Sequence, residues 1–172
     1  KVKIHTCDAT QPDEVAKVCK DMDAVYFCAM PPYTNWPDLF PPLAVGFLKG
    51  VAKTKAKVIF GDNLYLYGST QGTRISETVA HDATGQKGRT REYVARQFMG
   101  AHEREENLVT IGRTSDFFGP QTLNAVFGEM FFKSAMTGKT ANLLGNIDLP
   151  HTFSYIKDFA KGLVTLGSNE SA

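Results

Sequence analysis

Hydrophobic and polar positions along this chain switch between two periods. Residues 2–6 alternate apolar and polar side chains, whereas "AVYFCA" (24–29) and "KVIF" (57–60) are short, nearly continuous apolar runs. Alternation predicts a strand, and a short apolar run is typical of a strand that is covered on both faces. We therefore predict three strands here and a fourth within "LVTIGRTSDFFGP" (108–120), followed there by a loop.

Helical spacing of apolar residues fills most of the intervals between these strands. Val15, Val18 and Met22 lie on one helical face, and Thr10 with Pro12 is a suitable helix start. The same spacing predicts further helices over 43–52, 88–104 and 124–138, and a final helix within "HTFSYIKDFAKGLVTLG" (151–167) that follows a short strand or turn.

Two segments interrupt the periodic pattern. "PPYTNWPDLFPP" (31–42) is predicted to be a loop, because prolines break ladders and helix interiors. Residues 61–86 form a long polar excursion, and a loop of that length in a compact domain is often functional.

The alternation of strands and helices predicts an α/β fold with a parallel sheet flanked by helices. Ligands bind at the carboxyl ends of the strands in such sheets. The loops after Thr6, Ala29, Phe60 and Gly112 are therefore the candidate functional segments.

Several short motifs lie at these loops in a fixed order. "TCDATQPDEV" includes Asp8, "AVYFCAMPP" includes Ala29, and "KVIFGDNLYLYG" ends in Tyr67 and Gly68. "TIGRTSDFFGP" carries Arg113, and "HTFSYIKDFAKGL" begins at His151.

The order of these motifs resembles the extended short-chain dehydrogenases/reductases of the NAD-dependent epimerase/dehydratase type. The resemblance covers nearly the whole chain. It implies a Rossmann-like sheet, NAD or NADP as cofactor, and a sugar-like or carbonyl substrate. It also implies that Asp8 contacts the adenine and that the backbone at Ala29 passes the dinucleotide. Tyr67, Arg113 and His151 would then lie beside a small-molecule substrate.

The sequence departs from this family pattern in its glycine motif. The family cradles the pyrophosphate on a glycine-rich turn after its first strand. Neither G-x-x-G-x-x-G nor G-x-G-x-x-G occurs among these 172 residues. We therefore expect residues 1–172 to form a single, N-terminally truncated Rossmann-like domain with small substrate-side elements at its C-terminal end. The strand at residues 2–6 would then pair directly with the "AVYFCA" strand or with another chain.

The catalytic positions have changed as well. The family uses a Ser or Thr after its fifth strand and a Tyr four residues before a Lys. Asn63, Lys87 and Arg91 occupy these places. An Arg is always protonated and is no base, whereas a Lys beside it has its pKa lowered by the like charge.

The roles of these polar residues remain open at the level of sequence. Lys87 and Arg91 form a basic pair on one helical face that acts as a base, binds phosphate or ribose oxygens, or is only solvated. Asn63 either donates a hydrogen bond to a substrate or satisfies its own turn. Asp8 either touches adenine or begins the next helix cap. His151 replaces an Arg that grips a substrate phosphate in many relatives, or is a surface histidine.

Composition excludes several other classes of protein. The chain is 42% hydrophobic with a formal net charge of +1, which gives no reason to expect a nucleic-acid or anionic-membrane surface. Its apolar runs are far shorter than the roughly 20 residues of a membrane span. Three widely spaced cysteines suggest free thiols in a cytoplasmic protein and no metal site.

These observations leave an altered or inactive NAD(P)-dependent enzyme, with a non-catalytic nucleotide- or metabolite-binding module or an oligomerisation module as the alternative. The helices at 43–52 and 88–104 match the pair that commonly forms a dimeric four-helix bundle in the family. We therefore expect a homo-oligomer.

Overall fold

The centre of the molecule is a three-stranded parallel sheet with helices on both faces. The computed structural model describes residues 2–143 and 145–172. The sheet strands are β1 (Ala24–Phe27), β2 (Lys57–Asn63) and β3 (Val109–Thr114), in the order β1-β2-β3. Helix α1 (Pro12–Cys19) precedes β1, α2 (Trp36–Val51) connects β1 to β2, and α3 (Gln86–Glu103) connects β2 to β3. The α/β fold predicted from the alternating pattern and the Rossmann-like sheet implied by the family resemblance are both confirmed.

The main core lies between this sheet and helices α1 to α3. Phe27 of β1 and Phe60 of β2 point to this face, where both contact Phe98 of α3. The rings of Phe60 and Phe98 are stacked with centroids 4.3 Å apart. Complete burial of such a side chain stabilises the fold by about 1.5–3 kcal/mol.

The opposite face of the sheet is covered by a C-terminal helix, α5 (Ile156–Ser168). Gly61 and Gly112 let this helix approach closely, because a Cβ on Gly112 would lie 2.6 Å from Leu163 Cδ2. A second, two-stranded parallel sheet lies before α5. It pairs β4 (Asp116–Phe118) with β5 (Phe153–Tyr155), and α4 (Glu129–Met136) lies between them in sequence.

The prediction that the proline-rich segment at 31–42 is a loop is wrong for its second half, which is helical. A short 3-10 turn at Tyr33–Asn35 leads into α2, which begins at Trp36 and includes Pro41 and Pro42 in its interior. Each internal proline removes one backbone hydrogen bond. Burial of Trp36 and Phe40 compensates, since both side chains are almost completely removed from solvent.

The strand predicted at residues 2–6 is wrong. These residues have no regular secondary structure, and Val2 and Ile4 are 93% and 94% exposed. Among the described residues, β1 has only β2 as a neighbour, so the expected pairing of residues 2–6 with the "AVYFCA" strand is absent. Alternation alone gives no strand when no neighbouring strand completes its hydrogen bonds.

Other boundaries differ less. The "AVYFCA" strand ends at Phe27, and its Tyr26 is exposed, so this strand is not covered on both faces. The helix predicted at 124–138 covers only Glu129–Met136, and the loop expected after β3 contains β4. No helix in the described part of the chain combines the length and apolarity that a membrane span requires.

Candidate functional site

Polar side chains converge where the three parallel strands end. Asp62 and Asn63 close β2, and Arg113 and Thr114 close β3. The first turns of α3 run past the same edge and bring Arg91 to Asp62. The site therefore lies at the carboxyl ends of the strands, as predicted for this class of sheet.

A buried carboxylate holds two guanidinium groups at the centre of the site. Asp62 Oδ1 lies 3.2 Å from Arg91 Nη1, and Asp62 Oδ2 lies 3.2 Å from Arg113 Nε. The Asp62 side chain is 0% exposed, against 6% for Arg91 and 19% for Arg113. Arg113 also donates from Nη1 to the hydroxyl of Tyr67 at 3.3 Å.

Burial dominates the electrostatics of this ion network. Desolvation raises the pKa of Asp62, although attraction to Arg91 and Arg113 opposes it. Desolvation also lowers the pKa of Arg91, against the opposing attraction of Asp62. One carboxylate thus faces two guanidinium groups in a region of low water content. These three side chains together carry more positive than negative charge.

Arg91 does not lie on a solvated face. Its guanidinium carbon is 4.5 Å from the ring centre of Trp36 and 4.7 Å from that of Phe40. Its Nη2 lies 3.1 Å from Met30 Sδ, and its buried Nε has no hydrogen-bond partner. The hypothesis that Arg91 is only a solvated residue is therefore wrong. Its guanidinium is fixed on Asp62.

Lys87, one turn earlier in α3, has a different environment. Its ammonium nitrogen lies 3.2 Å from the ring centre of Tyr33. The hydroxyl of Tyr33 is 3.0 Å from that of Tyr65, which follows β2. Both tyrosines are exposed at the mouth of the site, 46% and 40% respectively.

Tyr65 remains in its neutral form at ordinary pH. Desolvation, the hydrogen bond to Tyr33 and the negative charge of Asp116 all raise the pKa of Tyr65 well above its usual value. A phenol in this state donates a hydrogen bond and does not act as a base.

Asn63, at the position of the family's Ser or Thr, uses part of its side chain locally. Its Oδ1 accepts a hydrogen bond of 3.1 Å from the backbone N–H of Tyr65. This is the turn geometry that the sequence left open as an alternative.

His151 lies beside the second sheet. Its Nε2 is 2.8 Å from Asp116 Oδ2, and its ring packs against Phe153 with centroids 4.6 Å apart. Both partners of this pair are solvent-accessible. Asp116 also acts electrostatically on Tyr65, which links His151 to the mouth of the site through Asp116.

Of the residues expected near a cofactor, Ala29 lines an apolar cavity of about 180 Å³ together with Cys7 and Phe27. Asp8 lies between two lining residues, Cys7 and Ala9, and does not itself line the cavity. The Oδ1 of Asp8 accepts hydrogen bonds from the hydroxyl and the backbone N–H of Thr10, which lower the pKa of Asp8. Complete ligand pockets measure roughly 300–1,000 Å³, so this cavity is smaller than such a pocket.

Sequence reasoning missed Tyr33 and Asp116 as site residues. Tyr33 lies in the segment interpreted as a proline-rich loop, and Asp116 lies in a strand that was expected to be a loop. Their contacts with Lys87 and His151 depend on the tertiary structure. In the described part of the chain, no three side chains of the His, Cys, Asp and Glu types are arranged to hold a metal ion.

The same fold occurs in solved structures of much longer proteins. UDP-glucuronic acid 4-epimerase from Bacillus cereus, solved with UDP-glucuronic acid and NAD, is 22% identical with a TM-score of 0.78. The match covers 91% of this chain and 53% of that chain. The chain has the fold of the NAD-dependent epimerases and dehydratases. The resemblance predicted from the order of the motifs is thus confirmed at the level of the fold.

Two further structures support the same conclusion. DesIV, a dTDP-glucose 4,6-dehydratase from Streptomyces venezuelae solved with NAD, is 16% identical with a TM-score of 0.79, covering 94% of this chain and 53% of that one. RMD from Pseudomonas aeruginosa, complexed with NADPH, is 19% identical with a TM-score of 0.73, covering 94% and 60%. The chain therefore spans little more than half the length of these proteins. No family model and no curated protein matches the sequence.

Proposed function

We propose that residues 1–172 form a single Rossmann-like unit of an NAD(P)-dependent epimerase, dehydratase or reductase with altered proton chemistry. Its substrate is a sugar-like or carbonyl-containing small molecule. The observation that carries the proposal is the position of Arg91 in α3, where it is held by Asp62, the neighbour of Asn63 at the end of β2, with Lys87 one turn earlier. The family's catalytic hydroxyl, phenol and ammonium groups would lie at these positions.

The residues at the family's catalytic positions determine which proton-transfer steps would change. Arg91 is held by Asp62 and cannot take up or release a proton, so it would serve as a fixed positive charge. Lys87 retains a mobile ammonium group at the surface of the site. A substrate would lie among Tyr67, Arg113 and His151. Of these, Arg113 and His151 retain solvent access.

A nicotinamide nucleotide would be held through Asp8 and Ala29 on the side of the small cavity and through the fixed positive charge of Arg91 on the other side. The apolar lining of the cavity suits a flat ring, whereas no glycine-rich turn for a pyrophosphate occurs in the sequence. The residues present thus suit the flat ring of the nucleotide but supply no glycine-rich turn for its pyrophosphate. Bound there, the nucleotide would supply hydride transfer. The choice between NAD and NADP remains open in this proposal.

Direct binding measurements test the proposal. Calorimetric titration of the 172-residue chain with NAD and with NADP is expected to give micromolar dissociation constants for one of them. Ala29→Glu should abolish binding, because a carboxylate beside β1 repels phosphate groups. Ala160→Glu places the same charge on an exposed position of α5 and serves as the control. Absence of binding to the unmodified chain would contradict the proposal.

One observation favours the alternative of an oligomerisation module. Leu39 of α2 and Tyr93 and Met99 of α3 expose large apolar side chains. A second copy of the chain covering these helices would give the expected homodimer. Light scattering should then report twice the monomer mass for the unmodified chain. The Tyr93→Glu variant should have the mass of a monomer. A chain that dimerises but binds neither nucleotide would favour this alternative.

The proposed location is the cytoplasm. Cys7, Cys19 and Cys28 are free thiols, which suits a reducing compartment.

A further inference from the structure

We propose that Lys87, Tyr33 and Tyr65 form a binding site for an anionic oxygen group, a carboxylate or a phosphate, on a small molecule. This inference deepens the proposed function and rests on it, because it takes the anion to be part of the substrate. It goes beyond the proposed function by assigning the anionic group of the substrate to particular side chains of this chain.

The first argument is an excess of hydrogen-bond donors. The Lys87 ammonium has three N–H donors, and in the described part of the chain no carboxylate lies within 4.0 Å of it. Its close neighbour is the Tyr33 ring, a π face that leaves N–H donors available on the solvent side. A ligand with several acceptor oxygens would satisfy these donors.

The two phenols add a donor at the same place. One hydroxyl of the Tyr33–Tyr65 pair donates to the other across 3.0 Å, so one phenolic hydrogen remains free. Because both side chains are substantially exposed, this hydrogen is accessible to a ligand. Lys87 and this hydroxyl would contact different oxygens of the same carboxylate or phosphate.

Local charge favours an anion over a neutral acceptor. Behind the tyrosines, Arg91 and Arg113 share the single carboxylate of Asp62. Asp116, the other carboxylate that acts on Tyr65, lies 2.8 Å from His151 Nε2. Counted together, Asp62 and Asp116 balance the two guanidinium groups, so among the described residues the positive charge of Lys87 is not opposed by a carboxylate of its own.

The first turn of α3 reinforces this field. The helix begins after Gly85 without a side-chain cap and has no acidic residue in its first turn, where Lys87 lies. The partial positive charge of a helix N-terminus then adds to the charges of the side chains. A negatively charged ligand group at Lys87 is stabilised by both.

Three sugars that differ only at carbon 6 test the proposal. Glucose, glucuronate and glucose 6-phosphate carry a hydroxymethyl, a carboxylate and a phosphate on the same ring. We expect at least one charged sugar to bind about tenfold more tightly than glucose, as charge-assisted hydrogen bonds imply. Chemical-shift titration of the 172-residue chain measures the three affinities. A carboxylate ligand is indicated if glucuronate binds best, and a phosphate ligand if glucose 6-phosphate does.

Matched variants locate the site. Lys87→Met should remove the preference for the charged sugar, whereas Lys133→Met, on an exposed position of α4, should leave it unchanged. Tyr33→Phe combined with Tyr65→Phe removes both hydroxyls and keeps both rings, and should reduce the preference several-fold. The proposal would be overturned by equal affinity for all three sugars, or by a preference that persists in Lys87→Met and in the double variant that lacks both hydroxyls.

The same samples separate this inference from the proposed function. Nucleotide binding is measured independently by the calorimetric titration with NAD and NADP. A chain that binds a nucleotide but shows no preference for charged sugars would refute the anion site alone. A chain that binds the charged sugar but no nucleotide would refute the proposed cofactor function.

Discussion

Arg91 Nη1 lies 3.2 Å from Asp62 Oδ1, and both side chains are buried beneath the tyrosines of the site. The family resemblance implies a lysine with a free ammonium group at position 91. Here the cation is instead fixed on a carboxylate at the end of β2. Under the proposed function, the proton chemistry of this site would therefore differ from that of the family.

The buried pair is expected to contribute strongly to folding. Arg91→Met should lower the free energy of unfolding by about 3–5 kcal/mol, because it leaves Asp62 buried with only Arg113. Urea denaturation measures this change. The control is Arg96→Met, which breaks the exposed ion pair with Glu92 and should cost about 0–1 kcal/mol. Similar effects of the two substitutions would show that burial of the Asp62–Arg91 pair is energetically unimportant.

A buried lysine at the opposite end of β2 gives a second prediction. Lys57 Nζ donates to the backbone oxygens of Leu166 and Asn169, at 2.9 Å and 2.7 Å, and thereby satisfies carbonyls at the end of α5. Lys57→Met should destabilise the chain by about 1–3 kcal/mol, since these carbonyls lose a charged donor. Thermal unfolding checks this against Lys55→Met, an exposed position nearby. Equal melting temperatures for the two variants would contradict it.

Glycine positions on two helices form a matched pair. A Cβ at Gly50 in α2 would lie 2.5 Å from Val15 Cβ and 2.6 Å from the backbone oxygen of Pro12. Gly50→Ala should therefore destabilise the chain by about 1–3 kcal/mol through overpacking between α1 and α2. Gly162 in α5 has open space at the same position, so Gly162→Ala should stabilise the helix by up to about 1 kcal/mol. Chemical denaturation of both variants should give opposite signs. A stabilising Gly50→Ala would show that α1 and α2 pack less tightly than described.

Local patterns predicted the sheet and its helices but not the edge of the sheet. The apolar runs at 24–29 and 57–60 and the helical period at 88–104 determine which side chains are buried. The pattern of buried side chains in turn determines whether the segment forms a strand or a helix. Residues 2–6 have the right alternation but no paired neighbour, so pairing decided the outcome there. Pro41 and Pro42 oppose a helix locally, yet burial of Trp36 and Phe40 outweighs that local cost.

The candidate site could be placed from the sequence more easily than its contacts. Counting along the motifs selects Asn63, Lys87 and Arg91. In the structure, Asn63 ends β2, and Lys87 and Arg91 lie in the first turns of α3. The partners of Arg91 and Lys87 come from other segments. Asp62 is 29 residues from Arg91, and the Tyr33 ring belongs to the turn before α2. Such pairings arise from packing between elements, and no periodicity along one element encodes them.

The pH dependence of stability provides a last prediction, at His81. Its ring packs edge-on against Tyr67 at 5.5 Å. Desolvation and the positive charge of Arg113 lower its pKa, and the attraction of Glu92 opposes this only in part. The unfolded chain therefore binds the proton more readily than the native chain. Neutral His81 therefore contributes to the free energy of unfolding above the ordinary histidine pKa of about 6.5. This contribution is lost as the pH falls through the lower pKa of the folded state.

His81→Asn should therefore lose less stability than the unmodified chain between about pH 7.5 and pH 5, where an unperturbed histidine gains its charge. Denaturation midpoints at the two pH values measure the difference, and His5→Asn, at an exposed position, is the control. The comparison between variants matters because carboxylates elsewhere also contribute to the pH dependence. If His81→Asn and His5→Asn lose stability in parallel, the proton affinity of His81 is the same in both states, and the positive charge of Arg113 does not reach it.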